Sequence, residues 1–241
     1  MMMANAAPAA ISMKHNLCGP AENVCTACAA GTHAITNAAR LISTGRCDLM
    51  VAGGAEAAFT GIAIAGFTNM TAFSSSGISR PFDAERDGFV MGEGAGVLVL
   101  KRLNDAIESG DEIYSVIRGI GGSSDGRGKG ITAPSQRGQI QAIARAYNQA
   151  GYPASSVELV EAHGTSSKVG DATELSTLSR LWTGLGGTGK VAVGSIKSQI
   201  GHLKAAAGIA GIMKTVMALH HRTIPPSANF ETPNPTVDWS N

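Results

Sequence analysis

Three side chains far apart in this sequence could do chemistry together. Cys28 stands in Thr26-Ala27-Cys28-Ala29-Ala30-Gly31, at the mouth of a segment of small residues. His163 stands in Glu161-Ala162-His163-Gly164-Thr165 and His202 in Lys197-Ser198-Gln199-Ile200-Gly201-His202, each in a glycine-containing turn after an apolar run. The thiolate is the nucleophilic form of cysteine, and unpaired N–H groups at a helix start lower a thiol's pKa. One such sulfur with two imidazoles suits thiol-based acyl transfer. Ala29, Ala30 and Gly31 leave a substrate room to reach it.

Each residue also has a plainer reading. Free cysteine is often a small buried hydrophobe. A histidine in a strand-end turn can cap a helix or fill a core, and so can His202 ahead of a helix. Lys197 lies in an apolar region where a lysine needs a partner, unless it snorkels to water. Cys25 and Cys28 form one Cys-x-x-Cys, the spacing of a redox site or of half a zinc site. Cys18 and Cys47 do not supply the other half, so no metal is expected, but a redox or zinc module stays open as an alternative of a different class. His220 and His221 close a helix, where cations suit the dipole, and His33 reads as packing. Gly92-Glu93-Gly94-Ala95-Gly96 precedes a strand instead of following one, the wrong order for a dinucleotide-binding turn.

The elements that must position these groups come from a chain of 241 residues, 44% hydrophobic, with room for one large domain or two halves of a layered one. A formal charge of +1, from 19 basic and 18 acidic residues, and an aromatic content of 5% exclude a nucleic-acid surface. The opening residues lack a basic, then apolar, leader. The longest soft segment, 205–219, is interrupted by Lys214 and is too short to span a bilayer. A cytoplasmic chain with free thiols is expected. Periodicity predicts helices over 27–44, around Ala106, and over 137–150, 171–182 and 205–220, the last of small residues and buried. Strands are predicted at 49–52, 94–100, 113–120, 157–162 and 191–194, with a long connection over 60–90. A glycine-rich loop at 121–128 marks the boundary between halves. Alternating strands and helices imply a layered α/β fold with buried sheets. Each half repeats strand, glycine turn and small-residue helix, as an internal duplication would.

Together these segments resemble the β-ketoacyl synthases, the condensing enzymes of fatty acid and polyketide assembly. Matching stretches run in the family's order: Thr26-Ala27-Cys28, Ala52-Gly53-Gly54, Arg80-Pro81-Phe82-Asp83, and Arg86-Asp87-Gly88-Phe89-Val90 into Gly92-Glu93-Gly94-Ala95-Gly96. Then follow Glu161-Ala162-His163-Gly164-Thr165, Gly170-Asp171, Gly194-Ser195-Ile196-Lys197, Gly201-His202-Leu203, Pro225-Pro226 and Asn229-Phe230. The resemblance implies a thiolase-like α-β-α-β-α sandwich of two duplicated halves, incomplete at both ends, and usually a homodimer. Residues 1–122 would be the remainder of the first half and carry the nucleophile. Residues 123–241 would be most of the second and carry both histidines.

The resemblance also implies roles. Cys28 would be acylated, His163 and His202 would hydrogen-bond the malonyl thioester carbonyl, and Lys197 would orient and electrostatically support the site. Thr165 and Ser167 would contact the pantetheine arm, and Phe89 would gate malonyl entry. Substrates would be acyl and malonyl thioesters on the phosphopantetheine of an acyl carrier protein, with no bound cofactor. A non-condensing partner of the same fold typically lacks the nucleophile, and a thiolase uses a second cysteine, so both fit less well. Family members run longer at both ends and carry a Gly-Phe-Gly-Gly turn that supplies a second oxyanion N–H. The expectation is therefore a fragment with open sheet edges and little condensing activity alone. Residues 123–134 look more like polyketide and polyunsaturated-lipid synthases than single-domain fatty acid enzymes.

Overall fold

Small residues decide where this chain can bring backbone against backbone. In a computed structural model, which describes residues 3–128, 130, 132–187, 190–237 and 239, two apolar helices meet on that account. Of the opening segment, residues 1 and 2 lie outside the described set. In chain order the elements are α1 (Ala6–His15), α2 (Ala30–Ser43), β1 (Leu49–Glu56), α3 (Gly61–Asn69), β2 (Gly94–Lys101) and α4 (Leu103–Glu108). They continue with α5 (Gln136–Ala150), β3 (Leu159–Glu161), α6 (Lys168–Gly184), β4 (Ala192–Gly194), α7 (Lys197–Ile200) and α8 (Ala207–His221). Short 3₁₀ turns, Ala27–Ala29 and Lys204–Ala206, feed α2 and α8.

Local chemistry accounts for several boundaries. The Ser135 hydroxyl accepts from Gly138 N at 3.3 Å and opens α5, and Gly151, at φ 70°, closes it. Thr60 does the same for α3 by accepting from Ala63 N.

β1 and β2 pair antiparallel, from Leu49 opposite Lys101 to Glu56 opposite Gly94. β3 and β4 pair parallel. Helices α2 and α8 lie against the first sheet, with Ile35, Leu203, Ala206 and Ile209 forming a core that meets Ala52, Leu98 and Leu100. α8 also touches β3. On the second sheet Phe82, Ala162 and Leu175 pack with Val160, Val193 and Leu178, so α6 covers its other side. The order is sheet, helix pair, sheet, helix: the layered α/β arrangement expected from the sequence. Among the described residues no helix is long and apolar enough to cross a membrane.

Three sequence expectations need correction. Residues 113–120 run outside any strand. Tyr114 meets the His220 ring of α8 and Gly119 lies against α5, while Ile113, Tyr114, Val116 and Ile117 are all exposed, because no described strand offers them a ladder. The connection over 60–90 contains α3, whose apolar residues lack the one-sided pattern that marks an amphipathic helix. α8 is buried only over its first turns, at Ala207, Ile209 and Gly211, while Met213, Met217 and Leu219 face outward.

The close approach of the helix pair to itself and to the first sheet depends on glycines; a Cβ on Gly208 of α8 would stand 2.8 Å from Thr32 N of α2. A Cβ on Gly31 would stand 3.0 Å from Ile209 N, and one on Gly54 would stand 3.0 Å from Ala205 O. Both distances are shorter than ordinary packing, and the opposing atoms are backbone. Gly54→Val should therefore cost about 1–3 kcal/mol. Gly66, in α3, faces open space, so Gly66→Ala should be neutral or stabilising by up to about 1 kcal/mol. Urea unfolding of both variants checks the pair; equal midpoints would contradict the packing described.

Candidate active site

Cys28 sits on the 3₁₀ turn ahead of α2, half-buried. The residue before it, Ala27, has φ 50°, a left-handed conformation that costs about 1–2 kcal/mol without glycine. Ser166 (φ 67°) and Lys204 (φ 47°) flank the two histidine turns in the same state. Such strain persists where surrounding contacts over-determine the backbone, and here they do.

The His163 turn is held from below by Glu174 of α6. Its two oxygens accept from His163 N at 2.7 Å and Gly164 N at 2.8 Å. Ser166, fully buried, accepts from Arg80 N through its hydroxyl and from Gly88 N through its carbonyl, both at 3.0 Å. That ties the turn to the loop carrying Phe89. Asp171 accepts from Phe82 N at 2.8 Å with one oxygen. Its other oxygen has no partner, and burial lifts its carboxyl to about 6.

His202 is fixed by its own backbone, donating to Val90 O at 2.7 Å and accepting from Gly92 N at 3.0 Å. Its ring Nδ1 accepts from Lys204 N at 3.0 Å. A backbone N–H can only donate, so Nδ1 is unprotonated and the hydrogen of the neutral ring sits on Nε2.

The three elements converge. The Cys28 sulfur and a nitrogen from each of His163 and His202 lie within 4.8 Å of one another. The two imidazoles are 5.3 Å apart, nearly perpendicular at 87°. Phe89 sets its ring 5.6 Å from His202, backed by Phe67 and Phe73. Lys197 opens α7 and is buried, and its charge acts on Cys28 and on both imidazoles. Thr165 and Ser167 share the His163 turn, with hydroxyls 2.9 Å apart, outside the trio of reactive atoms.

Burial sets the protonation states. It pushes both imidazoles down, His163 to about 3 and His202 to about 2, and the Lys197 charge adds to the effect. His163 is open to solvent on one face, so its neutral state is less tightly enforced. Burial also lowers Lys197, against the pull of the Glu174 and Glu161 carboxylates. The Cys28 thiol is pushed up by burial, which outweighs Lys197 and the local N–H groups. The sequence expectation of a helix start lowering that pKa is thus overturned: the loss of hydration is the larger effect.

The trio has the donor types of a soft-metal site, but the residues fit a metal poorly. The Nε2 of His202 carries a hydrogen, and moving it to Nδ1 would set it against Lys204 N–H. The Lys197 charge would also oppose a cation. Cys25 lies exposed and outside the trio, and all four cysteines are free thiols. Sequence reasoning missed Glu174. Asp171, Glu174, Leu175 and Leu178 share one helical face, and two carboxylates on an inward face were the available signal.

Residues 1–106 match the family described as "Beta-ketoacyl synthase, N-terminal domain", and residues 114–231 match "Beta-ketoacyl synthase, C-terminal domain". The chain is 42% identical over 226 residues to a phenolphthiocerol/phthiocerol polyketide synthase of Mycobacterium tuberculosis, covering 93% of this chain and 12% of that protein. It is 38% identical over 245 residues to a mitochondrial 3-oxoacyl-[acyl-carrier-protein] synthase of Arabidopsis thaliana, covering 98% of this chain and 53% of that one. A solved ketosynthase from module 6 of the bacillaene synthase of Bacillus subtilis superposes with a TM-score of 0.95 at 36% identity. That match covers 98% of this chain and 42% of the solved one. The chain thus spans about half the length, or less, of these relatives.

A folded imidazole held below the ordinary value of about 6.5 carries fewer protons than the unfolded chain, so stability falls as pH drops through that window. For His202 the loss should reach roughly 2–3 kcal/mol by about pH 4.5. Asp171, raised in the fold, acts with the opposite sign between about pH 3.9 and 6. Comparing His202→Gln with the wild type isolates the histidine. Urea midpoints from pH 7 to 4.5 should fall less steeply in the variant; parallel slopes would contradict a neutral buried ring.

Proposed function

The chain belongs to the β-ketoacyl synthase family, and from that premise we propose that it joins an acyl group held on Cys28 to a malonyl thioester, with loss of CO₂. The observation carrying this reading is the meeting of the Cys28 sulfur with two imidazoles within 4.8 Å, that of His202 holding its Nδ1 as an acceptor and so leaving Nε2–H as a donor.

In the first step the Cys28 sulfur attacks an acyl thioester on the phosphopantetheine arm of an acyl carrier protein. The bond from the acyl carbon to the carrier sulfur breaks, and the proton lost by Cys28 leaves on the carrier thiol. Half-burial keeps the resting thiol protonated, so the proton moves only when acyl thioester is in place. A malonyl thioester then binds. Its carboxylate leaves as CO₂, and the electron pair of the broken bond passes to the thioester oxygen as an enolate. His163 and His202 donate N–H groups to that oxygen, and neutral donors do so without trapping it as an ion pair. The enolate carbon attacks the acyl-Cys28 carbonyl, the carbon–sulfur bond breaks, and Cys28 returns as thiolate. Lys197 supports the negative charge from behind. Phe89, wedged against His202, controls malonyl entry, while Thr165 and Ser167 meet the pantetheine arm.

On this reading the nucleophile belongs to the half at 1–122 and the imidazoles to the half at 123–241, in a cytoplasmic homodimer serving fatty acid or polyketide assembly. No resident cofactor is needed, because the electron pair comes from the malonyl carboxylate.

The test separates the two half-reactions. With malonyl-loaded carrier, His202→Ala should release CO₂ about 10²–10³ times more slowly than the wild type. Single-turnover acylation of Cys28 should persist. Unchanged CO₂ release in the variant would overturn the assignment.

A further inference from the structure

Behind the histidines, Glu161 ends β3 with a carboxylate that grips two other elements. Oε1 accepts from Ile196 N at 2.6 Å, and Oε2 accepts from Lys214 Nζ at 2.7 Å. The pair is nearly enclosed, with side-chain exposures of 9% for Glu161 and 12% for Lys214. Glu161 lies two residues before His163. Ile196 directly precedes Lys197. Lys214 sits on α8, which the His202 turn enters. One carboxylate therefore ties together the three segments that deliver His163, Lys197 and His202, yet it belongs to neither half-reaction.

A buried ion pair is a poor way to gain stability, since lost hydration rivals the attraction, and an apolar pair would pack as well. What distinguishes the carboxylate is its two acceptor oxygens, each meeting a donor from a different element. We propose that Glu161 is a positioning residue for decarboxylation: by accepting from Ile196 N–H and Lys214 together, it sets the spacing of the two imidazoles and Lys197 around the enolate oxygen. This rests on the condensing reading above. On that reading acylation of Cys28 takes no hydrogen bond from either imidazole, so it does not need that spacing.

An amide in place of the carboxylate has one acceptor. In Glu161→Gln the NH₂ group must face either Ile196 N–H or the Lys214 ammonium, donor against donor, so one tie is released. Adding Lys214→Gln restores the frame without charge: Gln at 161 accepts from Ile196 N–H and donates to the new amide at 214. The experiment compares wild type, Glu161→Gln and the double variant by the ratio of malonyl decarboxylation to Cys28 acylation. The ratio should fall roughly 10- to 100-fold in Glu161→Gln, because a misplacement on the order of 1 Å has that effect, and it should largely recover in the double variant. A residue that merely stabilises the fold would lower both rates together, and a constant ratio would overturn the proposal. Imidazole ¹⁵N spectra of His163 and His202 give a second readout, moving in Glu161→Gln and returning in the double variant. Unmoved signals would overturn it too. Were the wild type itself to release no CO₂, the condensing reading would fail, and the spectra alone would decide the positioning.

Discussion

Two helices begin within van der Waals reach of each other's backbone, and the reactive group follows from that approach. The turn at Lys204–Ala206 lies over Gly54 of the first sheet and beside Gly31 of α2. No side chain fits between them. The constraint brings Cys28, at the entry to one helix, beside His202, at the entry to the other. β3 and its turn then supply His163 from the second sheet. Glycine at these two positions is thus a requirement of distance, and the apolar cores on either side hold the approach closed.

The same burial that builds the site decides its chemistry. Hydration lost around the buried His202 ring outweighs any gain from a proton, with the nearby lysine adding to the effect, so that ring stays neutral, while His163, more open to solvent, is pushed the same way less firmly. The Lys204 amide then selects the tautomer of His202. Burial acts on Cys28 as well, pushing its thiol pKa up. A site of neutral donors around a quiet thiol suits a reaction whose charge appears only in passing.

Much of this was legible in the sequence, for identifiable reasons. Helix α5 follows from local periodicity and caps, and strand β2 from its apolar run, which tertiary structure did not override. Cys28, His163 and His202 stood out because each sits at a strand or helix end beside glycine. Glu174 and Glu161 did not, because a carboxylate that binds backbone N–H groups looks in sequence like any solvated acid. Residues 113–120 carry a strand's composition, but a strand exists only with a partner, which no local pattern reveals. The raised Cys28 pKa was hidden for a related reason: a helix start is visible in sequence, whereas burial depends on α8, some 180 residues away.

Acyl labelling of the thiols bears most directly on whether folding singles out one of four. The purified chain would be incubated with an acyl-pantetheine thioester, digested, and its cysteine peptides weighed by mass spectrometry. The account predicts an acyl adduct on Cys28, with Cys18, Cys25 and Cys47 unmodified. An adduct spread evenly over the four, or one absent from Cys28, would contradict it.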